Sequence, residues 1–316
     1  MEDAMEDSIN DARALKLGQL KILVAVAEYG SFSAAAAALE CTQSRISHAI
    51  AALEKTLGAR LLTRSHSGTV PTDIGQRALA QARQMLVLEQ NLLALATGGA
   101  ASAGHVRVAC FRSVGTHLLP HALEALARDY PDIQVDIDDG CAERDDVTEA
   151  VRQGRADIGI AHLPAGGDFV ARPWLHDAYV FVAPAGLAIT APAGWRQFDA
   201  LPFIELDCSG AAAILARCRG AGLRAAAVRR LANDSSIVAL VGRGMGYSIL
   251  PRLAAFPAPD EVRLFDLPLE AQRHLALIAL PDTMRSKAVQ IVVRYLCDKR
   301  IVAKTRAFQA GIVSLD

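Results

Sequence analysis

The apolar positions near the start of the chain recur at helical spacing. Leu20, Leu23, Val24, Val26, Ala27 and Tyr29 line one stripe, and Gly30 ends it. Ser31 or Ser33 then caps a very short helix through Ala34 to Leu39, and Thr42 caps a third. In that third helix Ile46, Ile50, Leu53 and Leu57 follow at steps of four, three and four, and Gly58 closes it. Two short helices joined by a tight turn, the second polar at its start, form the helix-turn-helix pattern. Arg60 to Pro71 reads as two short strands around a Ser/Gly turn, a wing. Thr72 then caps a helix reaching about Ala96, roughly 37 Å long at about 1.5 Å per residue. Its stripe of Leu79, Ala82, Leu86 and Leu93, with Glu89 as the polar interruption and Met85 and Leu92 beside it, predicts a coiled-coil dimerisation arm.

After the small residues at 98–104 the pattern changes to strands alternating with helices. Strands are expected at His105–Phe111, Ile133–Asp138 and Ala156–Ala161, with helices at Thr116–Asp129 and Asp145–Gln153 between them. This order predicts a parallel sheet with right-handed crossovers. Strands at Ala178–Ala183, Phe203–Leu206, Ala225–Arg229 and Tyr247–Leu250, with helices at Gly210–Gly220 and Ser235–Val241, make a second such unit. Strand His274–Leu280 and helix Thr283–Arg300 return to the first. Two lobes joined by two crossovers leave a cleft at strand C-terminal ends, where α/β folds bind ligands.

Composition narrows the function. The 316 residues are 52% hydrophobic, and 33 basic against 34 acidic residues exclude a globally basic coat. Residues 1–14 are acidic and predict a disordered leader, whereas 41–77 hold five basic residues against two acidic. No stretch has the run of about 20 apolar residues that crosses a bilayer, and the leader lacks signal-peptide order, so a cytoplasmic protein is expected. Cys41, Cys110, Cys141, Cys208, Cys218 and Cys297 show neither CxxC pairs nor zinc-ligand spacing, so no metal, cofactor or disulfide framework is predicted. Nucleophile-elbow, phosphate-loop and HExxH motifs are missing, which argues against an enzyme. The Gly242–Gly246 glycines precede a strand instead of following one, and Asp136, Asp138 and Asp139 read as a solvated strand edge.

The run from Cys41 to Arg64, the preceding Gly30-Ser31-Phe32-Ser33, and the Pro71-Thr72-Asp73-Ile74-Gly75 entry to the long helix closely resemble LysR-type transcriptional regulators. Leu118-Leu119-Pro120, Gly154–Ile160 and Val241–Pro251 extend the likeness. The resemblance implies an α/β chain with an all-α N-terminal part: a winged helix-turn-helix at 15–71, a linker helix at 72–97, a hinge at 98–104, and a two-lobed, periplasmic-binding-protein-like effector domain at 105–316. Lobe I would take about 105–173 and 269–302, and lobe II about 174–268. It further implies a homodimer through the linker helix, assembled into a tetramer, that reads two-fold-symmetric double-stranded DNA, with RNA polymerase as a further partner.

Gln43, Ser44, Ser47 and His48 would lie closest to base edges, where Gln can pair with adenine in a bidentate way. His48 stands where the family often has Arg. Ser31, Ser33, Arg64 and Thr72 would hold backbone phosphates, and Thr42 and Arg45 belong to the same DNA-binding set. For the small-molecule effector, Arg112-Ser113-Val114-Gly115-Thr116 opens a helix after a strand and forms an anion cradle, with Arg112 as its cation. Cys141, His162, Cys208 and Ser209 follow other strands into the same cleft. Two alternatives stand beside this reading. One is a redox sensor using Cys208, activated at a helix N-terminus, and Cys218; the other is a ligand receptor with no DNA role.

Overall fold

The computed structural model describes residues 15–65, 68–96 and 104–316. The expected acidic leader and most of the hinge lie outside these residues. The chain divides into two compact units, essentially the residues up to 100 and those beyond.

In the first unit, α1 (Leu17–Tyr29), α2 (Phe32–Ala38) and α3 (Gln43–Leu57) are followed by β1 (Leu62–Ser65), β2 (Gly68–Pro71) and α4 (Asp73–Ala96). The capping signals act as read. Ser31 Oγ accepts the Ala34 amide at 3.1 Å, and Thr42 Oγ1 accepts that of Arg45 at 3.3 Å. Gly30 and Gly58 adopt left-handed φ of 67° and 66° that end α1 and α3. Leu20, Leu23, Val26, Ala35, Ile46, Ile50 and Leu53 are buried together as one core.

The stripe on α4 departs from expectation. Leu79 and Ala82 are buried in that same core, Leu86 packs against it, and Glu89 pairs with Lys21 of α1 at 3.0 Å. The exposed apolar face is instead Met85, Leu88 and Leu92, at 39%, 63% and 67% exposure. A three-helix domain this small completes its core with the nearest apolar stripe, so the first turns of the arm are used within the chain.

The second unit is built on β3 (Gly104–Phe111), which lies parallel to both β4 (Ile133–Cys141) and β5 (Ile158–His162). Between them run α5 (Arg112–His117), α6 (Leu119–Asp129) and α7 (Arg144–Arg152). The single helix expected from Thr116 is therefore two: it starts at Arg112 and breaks at Leu118, where Pro120 opens α6. The sheet is mixed, not parallel throughout. β6 (Val170–Pro184) pairs antiparallel first with β11 (Gln272–Ala279), and then with β9 (Ser248–Pro251) and β10 (Val262–Asp266). One long strand thus belongs to both lobes, so neither is a repeat of the other.

In lobe II, β7 (Phe203–Leu206) and β8 (Ala227–Leu231) form a separate parallel pair. α8 (Ser209–Gly220) packs beside an aromatic cluster in which the Phe181 and Phe198 rings stack at 4.0 Å, and α9 (Asp234–Gly242) packs in a separate core with Val180, Val182 and Ile204. The final helix is also broken: α10 (Lys287–Leu296) stops, and the Asp298 carboxylate accepts the Arg300 amide to start α11 (Lys299–Val302). α12 (Arg306–Gln309) and β12 (Ser314–Leu315) complete lobe I, with β12 pairing to β6. Among the described residues no single helix is long and apolar enough to cross a membrane.

Candidate functional site

The first unit presents a polar tip on an apolar footing. Along α3 Ile46, Ile50 and Leu53 are 0%, 3% and 0% exposed, while Thr42, Gln43, Ser44, Arg45, Ser47 and His48 all face solvent. A groove between α2, α3 and the wing is lined by Ser31, Ser33, Gln43, Ser47, Arg60 and Arg64, among others. Ser44, Arg45 and His48 are exposed outside its lining.

The wing is fixed at both ends. Glu54 Oε1 accepts the Leu61 amide at 2.7 Å and that of Leu62 at 3.3 Å, and the Gly30 carbonyl accepts the Thr69 amide at 2.7 Å. Sequence reading missed Arg60, Thr63 and Thr69 as groove residues; their place follows from strand register. It also assigned Thr72 to a phosphate, whereas that hydroxyl donates to the Arg60 carbonyl at 2.8 Å and accepts the Gly75 amide at 3.0 Å. Thr72 joins wing to helix and is not among the groove residues.

The second unit holds a cavity of about 90 Å³ between its lobes. Arg112, Ser113, Cys141, His162 and Cys208 line it as expected. Val114 does not: it is wholly buried in the lobe I core. Gly115 sits against the Asp139 side chain and Thr116 is exposed, and neither is among the lining residues. Ser209 begins α8 and its side chain lies outside the described residues; its neighbours Cys208, Gly210 and Ala211 form part of the wall.

Several lining residues carried no sequence signal. Tyr179, Asn233 and Arg273 arrive from β6, the start of α9 and β11. Arg112 is therefore not the lone cation, since Arg144 and Arg273 stand with it. Asp139, Glu143 and Asp234 line the cavity too, so the expected anion cradle is a site of mixed charge, and Asp139 is more than a solvated edge.

Arg273 is the structural pivot of this wall. It donates to both oxygens of buried Asp177 at 2.7 and 3.0 Å, and Asp177 Oδ2 also accepts the Leu253 amide. Burial opposes the Arg273 charge, but the Asp177 carboxylate overrides it and holds the guanidinium pKa up. His162 stacks on Phe111 with ring centroids 5.9 Å apart. Burial, then the charges of Arg273 and Arg144, push its pKa down, leaving a neutral imidazole in the wall.

The same environment weighs against the redox alternative for the thiols. Cys208 does cap α8, with Sγ 3.3 Å from the Ala211 amide. Burial outweighs that contact and raises its pKa, and burial raises Cys218 to about 11. Ten residues of intact helix separate the two by roughly 15 Å along the axis. A disulfide needs Cα atoms within about 7 Å.

Two family models match this chain. "Bacterial regulatory helix-turn-helix protein, lysR family" covers residues 17–76, and "LysR substrate binding domain" covers 99–299. "Probable HTH-type transcriptional regulator LrrA" of Synechococcus elongatus is 35% identical over 280 residues, spanning 87% of this chain and 94% of that protein. A "Probable hydrogen peroxide-inducible genes activator" of Streptomyces viridosporus is 31% identical over 252 residues, 77% of this chain and 79% of its own. Among solved structures, full-length OxyR from Pseudomonas aeruginosa superposes with a TM-score of 0.69 at 21% identity, covering 92% and 98%. The LysR family regulator CbnR superposes with a TM-score of 0.52 at 22% identity, covering 89% and 100%. At these identities the structures speak for the fold, and the sequence matches for the lineage: the chain belongs to the LysR family of DNA-binding transcriptional regulators, with an effector-binding domain and no enzymatic role.

Proposed function

We propose that Gln43, Ser44, Ser47 and His48 enter a DNA major groove while Ser31, Ser33, Thr42, Arg45, Arg60 and Arg64 hold the flanking phosphates. One observation carries this reading. In the first two turns of α3 Ile46 and Ile50 are buried, and every polar residue is exposed. One copy of such a module reads one half-site, so a dimer reads a two-fold operator. Met85, Leu88 and Leu92, at helical steps of three and four on α4, support a helix-to-helix dimer contact. A further doubling to a tetramer, contact with RNA polymerase and a cytoplasmic setting belong to the same reading.

The cavity favours a compact effector carrying both charge signs. A volume of about 90 Å³ is below the roughly 300–1,000 Å³ of drug-sized sites. Arginines and carboxylates both line it, and neutral His162 and Tyr179 add hydrogen-bonding capacity. Binding shifts the regulator only as far as the effector prefers one lobe arrangement over another.

Selection from random duplex DNA tests the first part. A consensus with two inverted half-sites should emerge, and its log affinity should fall linearly with log salt. Recovery of no consensus by the folded protein would sink the DNA assignment. Thermal-shift screening of zwitterionic amino acids against simple monocarboxylates tests the second, and stabilisation by the monocarboxylates alone would reject the mixed-charge reading.

A further inference from the structure

On lobe I, His176 of β6 and His274 of β11 are direct cross-strand partners in antiparallel register. Directly opposed residues carry their Cβ atoms about 4.5–5.5 Å apart on the same face. β12 then runs along the other edge of β6, with Ser314 opposite His176 and the Asp316 amide donating to the Trp174 carbonyl at 3.2 Å. The backbone therefore delivers a carboxylate to a histidine pair. Asp316 Oδ1 lies 2.7 Å from His176 Nδ1 and 3.1 Å from His274 Nδ1, and the two rings are 5.3 Å apart.

Strand alternation keeps this cluster separate from the effector wall. Asp177 and Arg273, each one residue away, point to the opposite face and bond to one another there. Nothing in the function derived above uses His176, His274 or Asp316.

We propose that His176, His274 and Asp316 form a binding site for a divalent transition-metal ion. The donor atoms all lie within 4.8 Å of one another. Metal–nitrogen and metal–oxygen bonds of about 2.0–2.2 Å place tetrahedral ligands some 3.3–3.5 Å apart, so modest widening admits an ion. Two imidazoles and one carboxylate suit Zn²⁺, Ni²⁺ or Fe²⁺ and leave coordination positions open. Binding at Nδ1 displaces the protons now shared with Asp316 and leaves Nε2–H outward. The ion would fasten β12 to β6 and β11, the strands that bear Asp177 and Arg273 on their other face. Linear spacing gives no hint of it, because the three residues are about a hundred and forty apart at most in sequence and meet through register alone. The site is independent of the proposed effector pocket.

The test uses the full chain without a polyhistidine tag, stripped with chelator and titrated with Zn²⁺ in competition with a chromophoric chelator. One equivalent should bind, and His274→Ala and Asp316→Asn should each weaken it by at least about 10-fold. His121→Ala, which removes an imidazole elsewhere on the surface, should change nothing. Failure of the folded wild-type chain to take up zinc, or equal affinity in wild type and both variants, overturns the proposal. Co²⁺ loading of the wild-type chain gives a reading free of any folding defect in a variant. A d–d spectrum without a thiolate charge-transfer band is expected, and a strong thiolate band would place the metal on cysteine and overturn the site.

Discussion

The two units make their surfaces in opposite ways. The tip of the first comes from one continuous stretch, Thr42 to His48, whose cap, apolar footing and polar face all lie within two helical turns. The cavity of the second collects residues from Phe111 to Arg273, delivered by strands and helices that only the folded sheet brings together. A locally encoded surface tolerates loss of one side chain with local consequences. An assembled one depends on the buried links that hold its walls in place.

The largest expected effect tests that dependence. Asp177→Ala leaves the Arg273 guanidinium buried without its counter-charge, and about 3–5 kcal/mol of stability should be lost from the second unit in denaturant unfolding. Adding Arg273→Leu should restore part of it. If the single variant unfolds like wild type, the pair is not the link described.

Next in size is Gln43→Ala. Its expected cost is roughly 1–3 kcal/mol in binding to the selected operator, with binding to random DNA unchanged, measured by titration at fixed salt. Arg64→Ala should weaken both alike and lower the salt slope by about one. Equal behaviour of the two variants would erase the division between base and phosphate contacts.

Thr42→Ala removes the cap of α3, and about 1 kcal/mol should be lost from the first unit alone, read by its thermal midpoint. The smallest effect concerns His162. Its lowered pKa means that the folded state favours the neutral ring, so the unfolded chain binds more protons. That contribution is fully present above the ordinary imidazole pKa of 6.5 and is lost as pH falls below it. Wild type should therefore lose more stability than His162→Gln between about pH 7.5 and 5.5, in paired thermal melts. Parallel curves would show that His162 is solvated.

Helix starts and stops at Ser31, Thr42, Gly30 and Gly58 were legible because a cap bonds within three residues of itself. Cys141, His162 and Cys208 were legible as wall residues because each ends a strand or opens the helix after it. Tyr179 and Arg273 were not, since either face of a buried strand looks alike in sequence until its neighbours are known. The same ambiguity misassigned the linker stripe: Leu79, Ala82 and Leu86 have the spacing of a coiled coil, but they close the core with α1.

Sequence alone determined the local order of helix, wing and arm, the α/β alternation that follows, and the lineage carried by the Cys41–Arg64 stretch. Periodicity, caps and turn residues are short-range codes, and they act before any distant contact forms. Tertiary structure decided which face of each element is covered, which thiols burial pushes up in pKa, and that one strand, β6, serves both lobes. Those outcomes rest on register and packing between residues far apart in the chain, and no local spacing records them.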